Sequence, residues 1–405
     1  MHPSEEIRGS KSRKLAGKRI ILGVTGSIAA VETIKLSREL IRHGADVIPV
    51  MSPAATRIIH PDSLWFSTGN RPICELTGDT EHVRFCGQVE DKADLFLISP
   101  CTANTISKIA HGIDDTTVTT FATTAIGSKI PVIIVPAMHL SMYEHRIVQE
   151  NIKELMKKGL IFIDPFLESH KAKMASIERI TNQIIQILGP HDLDKKTVLI
   201  IGGSTIEPID SVRGICNTSS GKTAVELATC AFHHGASVEL WYGQSKENIP
   251  SFLSTVRYFS SAKDVMSLIK QSDIARFDII IVCAALSDYI PDSLQGKISS
   301  DKEDLTIVCH PAPKIISYLR KMAPNASVIG FKLEDDEQQL VERAKNLQKK
   351  NDLDIVVANT TKNFHTEKGQ VVFIGKKGIT KRISGTKAQI AEVFFSFLKE
   401  TMDHD

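Results

Sequence analysis

No two cysteines in this 405-residue sequence stand in C-x-x-C spacing, and the seven present (74, 86, 101, 216, 230, 283 and 309) are odd in number and scattered. The pattern argues against a disulfide framework and against a zinc motif, so a reducing cytoplasm is the expected compartment. Excess charge is missing too: a net charge of +2 gives no electrostatic footprint for nucleic acid. Long apolar runs are absent. The longest, such as "FDIIIVCAAL", reach about half of the roughly 20 residues a membrane helix needs. They read as buried strands, and no membrane association is expected. Residues 1–17, "MHPSEEIRGSKSRKLAG", lack the apolar core of a secretory signal and are expected to form a flexible tail.

What the sequence does have is a 42% apolar content laid out in short runs, enough for two or three separate cores. "KRIILGVTG", "ADVIPVMS", "ADLFLISP" and "IPVIIVPA" read as strands, with helical patterns between them. Runs that are apolar on both faces imply a parallel sheet covered by helices. After "ILG" (187–189), the polar "PHDLDKK" introduces a second series: "TVLIIGGS", "ASVELWYG", "FDIIIVCAA", "SVIGFK", "LDIVVAN" and "QVVFIG". The expected division is a tail at 1–17, a first domain at 18–190 and a second at 191–405, each an α/β, Rossmann-like, doubly wound parallel sheet. Both open alike, with "RHGADVIPV" at 42–50 answering "HHGASVELW" at 233–241. Common ancestry and the ordinary grammar of such sheets account for this equally well.

"GVTGSIAAVE" (23–32) leaves a strand for a helix, so Gly26 and the backbone of Ser27 and Ile28 sit where a helix N-terminus attracts phosphate, although the spacing is not G-x-G-x-x-G. "MSP" (51–53), "SPCTANT" (99–105) and "VPAMHLSMY" (135–143) put small polar or soft residues at other carboxyl edges, where open α/β sheets bind ligands. Ser52, Ser99, Thr102 and Asn104 offer hydroxyl and amide groups able to hold a phosphate and a ribityl chain, and Met138 lies in the last of these segments. In the second half, "CNTSSGKT" (216–223) approaches a Walker A loop. The position that needs its first glycine is Cys216, however, and Gly214 comes two residues too early.

Taken together, "GVTGSIAA", "EHVRF", "SPCTANTISKIAHGIDDTTVTT" and "VPAMHLSMYEH" resemble the flavin-dependent cysteine decarboxylase family that includes phosphopantothenoylcysteine decarboxylase. The resemblance implies a flavodoxin-like domain holding FMN, with His82 of "EHVRF" as catalytic base, although that histidine read alone is a loop residue. The family's Pro-Ala-Met-Asn appears as Pro136-Ala137-Met138-His139. This departure exchanges an amide for a titratable ring, which can still hydrogen-bond a substrate carboxylate. Flavin is needed because direct loss of CO₂ leaves an unstabilised carbanion. Oxidising the thiol first gives a thioaldehyde that takes up those electrons as an enethiolate, and a hydride is returned afterwards. Bacterial relatives supply the final proton from a cysteine in a flap; "DPFLESHKAKMAS" (164–176) has none, which leaves His170, Lys171 and Lys173 as candidate donors or as grips on the substrate phosphate.

"IGGSTIEPIDSVRGICNTSSGKTAVELA" (201–228) resembles the phosphopantothenate-cysteine ligase domain, as do "AALSDY", "GKISS", "GFKLED" and "VERAKNLQKK" further on. Ser-Ser-Gly-Lys then becomes a helix start presenting backbone N–H groups, not a Walker loop. The implied chemistry uses CTP with Mg²⁺ to turn 4′-phosphopantothenate into an acyl-cytidylate, from which the amine of cysteine expels CMP. Carried over residue by residue, Asp288, Lys297, Ala312, Pro313, Lys314, Ile315, Phe331, Lys345 and Lys349 would contact the nucleotide, with Arg213 and Asn217 holding the activated acyl group. Lys345 and Lys349 are spaced i, i+4 beside the apolar stripe Leu340, Val341, Ala344 and Leu347, and read alone they are an ordinary solvated face. Ser300 stands where bacterial relatives often have a further lysine, so Lys297 would carry the charge alone.

The resemblance covers about residues 18–400 and implies a bifunctional enzyme of coenzyme A synthesis whose partners are small molecules and further copies of itself. Flavin sites between subunits imply trimers of the first domain and dimers of the second, with a dodecamer as one assembly that satisfies both. The "PAMH" form, the "GIDDT" wording and the missing flap cysteine look more archaeal than bacterial. Two other readings stand beside this one: a chain that retains a single activity, and a non-catalytic flavoprotein that binds and regulates a partner.

Overall fold

In the computed structural model, which describes residues 2–168, 170–299, 304–360 and 368–402, the chain divides into two units, Met1–Leu188 and Gly189–Asp405. The first is built on strands β1 (Arg19–Val24), β2 (Asp46–Met51), β3 (Leu95–Cys101), β4 (Val132–Pro136) and, past the two-residue β5 (Met138–His139), β6 (Ile161–Phe162). All five sheet strands are parallel, in the order β2-β1-β3-β4-β6. Strand alternation splits their side chains between two cores. Ile20, Leu22 and Val24 join one and Ile21, Phe96 and Ile98 the other, each 0% exposed. Both faces are covered by helices, which is why β1 and β3 read as unbroken apolar runs. Truncating Leu97, also fully buried, to alanine would cost about 2–5 kcal/mol.

The first unit's helices are α1 (Pro3–Ile7), α2 (Thr33–Arg42), α3 (Pro61–Thr68), α4 (Glu81–Cys86), α5 (Ala103–Ala110), α6 (Thr117–Gly127), α7 (Leu140–Tyr143), α8 (Arg146–Lys157) and α9 (Ile177–Ile187). The expected flexible tail is instead folded. His2 caps α1, Ser4 and Leu15 are fully buried, and the backbone N–H groups of Gly9, Lys11 and Leu15 donate to the carbonyls of Ile41, Arg42 and His43 at the end of α2. The stretch is polar in sequence because main-chain hydrogen bonds, with Leu15 as an apolar anchor, dock it.

The second unit contains β9 (Thr197–Gly202), β10 (Ile206–Pro208), β11 (Gly214–Cys216), β12 (Ser237–Tyr242), β13 (Thr255–Tyr258), β14 (Ile279–Val282), β15 (Tyr289–Pro291), β16 (Cys309–Pro311), β17 (Ser327–Glu334), β18 (Ile355–Thr360), β19 (Lys368–Gly375) and β20 (Thr380–Thr386). Its main helices are α10 (Lys222–His233), α11 (Ala262–Gln271), α12 (Ile315–Met322), α13 (Glu337–Asn351) and α14 (Lys387–Met402). The main sheet runs β13-β12-β9-β14-β17-β18-β19-β20. Six parallel strands are doubly wound from β9 outward, as expected, but β19 and β20 are antiparallel, so the sheet is mixed. β20 alternates exposed and half-buried residues at the sheet edge and offers no apolar run to find.

The two units share their lead-in. The N–H of Leu15 donates to His43 O and that of Leu193 to His234 O; Asp94 accepts from the Arg19 amide and Asp278 from the Thr197 amide, 2.8 Å each. Among the described residues no helix is long and apolar enough to cross a membrane.

Candidate functional site

In the first unit the chain winds outward in opposite directions from β1 and β3, so their carboxyl ends flank a crevice of the kind that binds ligands in open α/β sheets. Gly26 and Ser27 leave β1 there, and Ser99 and Thr102 end β3. A Cβ on Gly26 would lie 2.5 Å from the Ala54 Cβ, so glycine is required for the β1 turn to pass the turn after β2. Ser27 caps the short 3-10 helix Ile28–Glu32, whose Ile28 is 77% exposed. Ser52 accepts from the Ala55 amide, and Thr102 caps α5 through the Thr105 amide, with Asn104 exposed in the first turn. The sequence reading missed Thr25. Its hydroxyl donates to Pro100 O (2.7 Å) and accepts from the Thr102 amide (3.0 Å), stitching the two strand ends together.

His82 lies on α4, a helix where a loop is the simplest sequence reading. Its ring meets Phe121 of α6 edge-on at 6.5 Å, and its buried Nδ1 has no hydrogen-bond partner among the described residues. A buried ring nitrogen left unpaired costs free energy unless a further group completes it.

The flap is an antiparallel hairpin, β7 (Phe166–Glu168) and β8 (Lys171–Lys173), added to β5 in the order β5-β8-β7. Register places Met138 opposite Ala172 and His139 opposite Lys171. Ala172 is buried, so by strand alternation Lys171 and Lys173 share the other, exposed face. Lys173 pairs with Glu168 at 2.5 Å, and Ser99 Oγ contacts Met174 Sδ at 3.3 Å, which ties the flap's end to β3. His170 and His139 are exposed.

In the second unit the switch point lies between β9 and β14. A cleft opens there, lined by Gly203, Ser219–Gly221, Cys283–Ala285, Phe331, Asn359 and Lys387 among others. Gly221, at φ +75°, caps α10, and a Cβ would fall 2.1 Å from the Tyr242 hydroxyl. The helix thus starts at Lys222, as the sequence implies. Gly214–Cys216 forms a strand paired to β10, not a phosphate-wrapping loop. Burial pushes the Cys283 thiol up to about 12, which leaves it no nucleophile.

Two predicted groups are brought together beside this cleft. Asn217 donates to Leu286 O at 3.1 Å; two residues on, Asp288 pairs with Lys314 (2.6 Å) and its carbonyl accepts from the Ala312 amide. Pro313 is exposed, whereas Ile315, the first residue of α12, is buried. Arg213 donates to Ile298 O beside the exposed Lys297. The residue that organises this second group is one the sequence reading missed, Asp210. Its buried carboxylate accepts from the amides of Val212, Arg213 and Ile298 and from the Arg213 guanidinium, all at 2.7–3.0 Å. Those backbone donors hold its pKa at about 2.

Lys345 and Lys349 project from one exposed face of α13, as their spacing predicts, and line a cavity with Gln348, Asp352 and Lys376 that is separate from the cleft walled by Phe331. Leu340 and Ala344 bury the helix against the sheet and turn the lysines away. Ser300 lies outside the described residues. Among those described, Cys230, His234 and Glu392 come close enough to hold a metal ion. Both nitrogens of His234 are engaged, by Asp192 (2.6 Å) and Glu392 (3.0 Å). Burial disfavours the charged ring, yet these two carboxylates outweigh it and raise the pKa.

Residues 8–189 match the protein family described as Flavoprotein, and residues 193–401 match the DNA/pantothenate metabolism flavoprotein C-terminal domain. The coenzyme A biosynthesis bifunctional protein CoaBC of Thermococcus kodakarensis is 44% identical over 397 residues, 97% of each chain. That of Methanocaldococcus jannaschii is 39% identical over 399 residues, covering 97% of this chain and 96% of its own. The Vibrio vulnificus protein of the same name is 30% identical over 406 residues, covering 96% and 99%.

Proposed function

The chain belongs to the family of coenzyme A biosynthesis bifunctional proteins, a flavoprotein with decarboxylase and ligase activities, and from that premise we propose how its residues divide the work. The second unit condenses 4′-phosphopantothenate with cysteine, using CTP as its magnesium complex. The first decarboxylates the product to 4′-phosphopantetheine. We place both reactions in the cytoplasm, in a homo-oligomer built from trimers of the first unit and dimers of the second.

In the ligase, Asp288, Lys297, the Ala312–Ile315 turn and Phe331 contact the nucleotide, and Lys297 stabilises charge on the triphosphate as the carboxylate attacks. Asn217 and Arg213 orient the acyl-cytidylate for the amine. Lys345 and Lys349 reach nucleotide only if that ligand spans to their separate cavity, so we assign them the weaker role.

In the decarboxylase the residues fit FMN. The switch-point crevice is lined by small and hydroxyl-bearing side chains at Gly26, Ser27, Ser52, Ser99 and Thr102, with Ile28, Asn104 and Met138 at its edges, and the Nδ1 of His82, which has no partner among the described residues, can find one in a ligand. FMN supplies reversible two-electron oxidation of the thiol. His82 takes the thiol proton, His139 holds the departing carboxylate, and the flap lysines Lys171 and Lys173 return a proton to carbon.

The observation that carries this reading is the pair of switch points, one polar and hydroxyl-lined, the other a cleft built around the Ser219–Lys222 turn. Incubating the purified protein with 4′-phosphopantothenate, cysteine and CTP should yield 4′-phosphopantetheine, pyrophosphate and CO₂ in equal amounts. Phosphopantothenoylcysteine as the final product would remove the first unit's activity from the reading.

A further inference from the structure

Lys387 is the first residue of α14 and lines two adjoining spaces. One is the polar cleft of the second unit. The other is an apolar pocket walled by Leu227, Val371 and Phe394, with Thr223, Phe331 and Asn359 shared between the two. The surroundings are unfavourable to a cation in three independent ways. A positive charge at the start of a 16-residue helix opposes the helix dipole, and no acidic residue occupies that first turn to offset it. Burial pushes the ammonium below the usual lysine range, and the charge of Lys222 pushes it further, against weaker pulls from Glu226 and Glu247. Finally, Lys387 makes no hydrogen bond or ion pair among the described residues.

A half-buried cation beside a second lysine, with no ion-pair partner among the described residues and only the weaker pulls of Glu226 and Glu247 to offset it, lowers stability, and such local conflicts concentrate at binding sites where a ligand resolves them. We propose that Lys387, together with Lys222, binds the phosphate oxygens of a substrate in this cleft. The inference rests on the ligase reading of the second unit. Two ligands there carry the required chemistry, the nucleotide triphosphate and the phosphate of 4′-phosphopantothenate. Either would bring two or more negative charges beside the Lys387 ammonium and offset its repulsion by Lys222.

The test uses the full chain and calorimetric titration with inorganic tripolyphosphate and, separately, with 4′-phosphopantothenate. Lys387→Gln should weaken binding of one of them about tenfold or more, and Lys387→Arg, which keeps the charge, should recover most of it. Lys222→Gln should weaken the same ligand. The unfolding midpoint of Lys387→Gln should equal or exceed that of the wild type, because a repelled charge is gone. Weakening confined to tripolyphosphate assigns the pair to the nucleotide; weakening confined to 4′-phosphopantothenate assigns it to that substrate's phosphate. Equal affinities of wild type and Lys387→Gln for both ligands, or a wild type that binds neither, overturn the proposal. Wild-type binding without pyrophosphate release in the presence of 4′-phosphopantothenate, cysteine and CTP would instead overturn the ligase reading and leave the anion site standing.

Discussion

The carboxylate of Asp210 accepts a hydrogen bond from the amide of Ile298, 88 residues away, at 3.0 Å. Through it the turn that carries Arg213 and the loop that carries Lys297 become one unit, since Asp210 also takes the Arg213 amide and guanidinium. In Asp210→Asn the oxygen facing Ile298 and the guanidinium is expected to become an NH₂ group, which cannot accept from either. Each lost bond to a charged group is worth about 1.5–3 kcal/mol. CTP-dependent pyrophosphate release should therefore fall about 10- to 100-fold while decarboxylation of supplied phosphopantothenoylcysteine continues. Because the folded carboxyl titrates at about 2, below its unfolded value, its stabilising effect is present above about pH 4 and is lost only as pH falls toward 2. A wild-type ligase profile breaking between pH 5 and 7 would have to be assigned to another group.

His234 gives the opposite sign. Burial lowers its pKa, but the Glu392 and Asp192 hydrogen bonds prevail and raise it above the ordinary histidine value, so the clamp between α10 and α14 is fully formed below about pH 6.5 and fades as pH rises through the folded pKa. The unfolding midpoint of the wild type should therefore decline relative to His234→Gln as pH is raised from 6 to 9. For a chain of this size roughly 1 kcal/mol moves a midpoint by about 2–4 °C, and parallel curves for the two proteins would mean the clamp carries no charge.

The sheets were legible because β3 and β14 throughout, and β1 and β9 after their first residue, are buried on both faces and so leave continuous apolar runs. Their winding order also follows from the alternation of strands and helices, and with it the two switch points. What escaped were features held by contacts distant in sequence. Leu15 is an apolar residue in a largely polar stretch that docks on the end of α2 through main-chain bonds, its own to His43 O. Asp210 has no local pattern, because its defining partner is distant in sequence. The spacing of Lys345 and Lys349 fixes a shared helix face but not which cavity that face meets. The lead-in shared by Leu15 and Leu193 extends the similarity of the two halves beyond the "HGA" turns that first showed it.

His82→Asn separates binding from chemistry in the first unit. The ring's Nδ1 is buried and has no partner among the described residues, so an amide of similar reach should keep the packing against Phe121 tolerable and the flavin bound. With no base to take the thiol proton, CO₂ release should drop about 10²- to 10⁴-fold. Visible absorbance after gel filtration reports the flavin, and trapped CO₂ the turnover. Undiminished CO₂ release would move the base elsewhere.

The flap distinguishes its two lysines. Lys173 is already paired with Glu168 at 2.5 Å, which holds that carboxylate below its ordinary pKa. Lys171 lies opposite His139 in register and so next to the segment that carries the proposed carboxylate contact. If a flap ammonium returns the proton to carbon, Lys171 is the better placed. Lys171→Gln should then release an unsaturated enethiol, lighter than 4′-phosphopantetheine by one pair of hydrogens, while Lys173→Gln should yield chiefly the saturated product. Mass spectrometry separates them. Saturated product from both variants at the wild-type rate would show that neither lysine donates, leaving His170 or His139 as the source. Enethiol accumulating from the wild type itself would mean that this chain stops at oxidative decarboxylation, since the flap then holds no group able to complete the cycle.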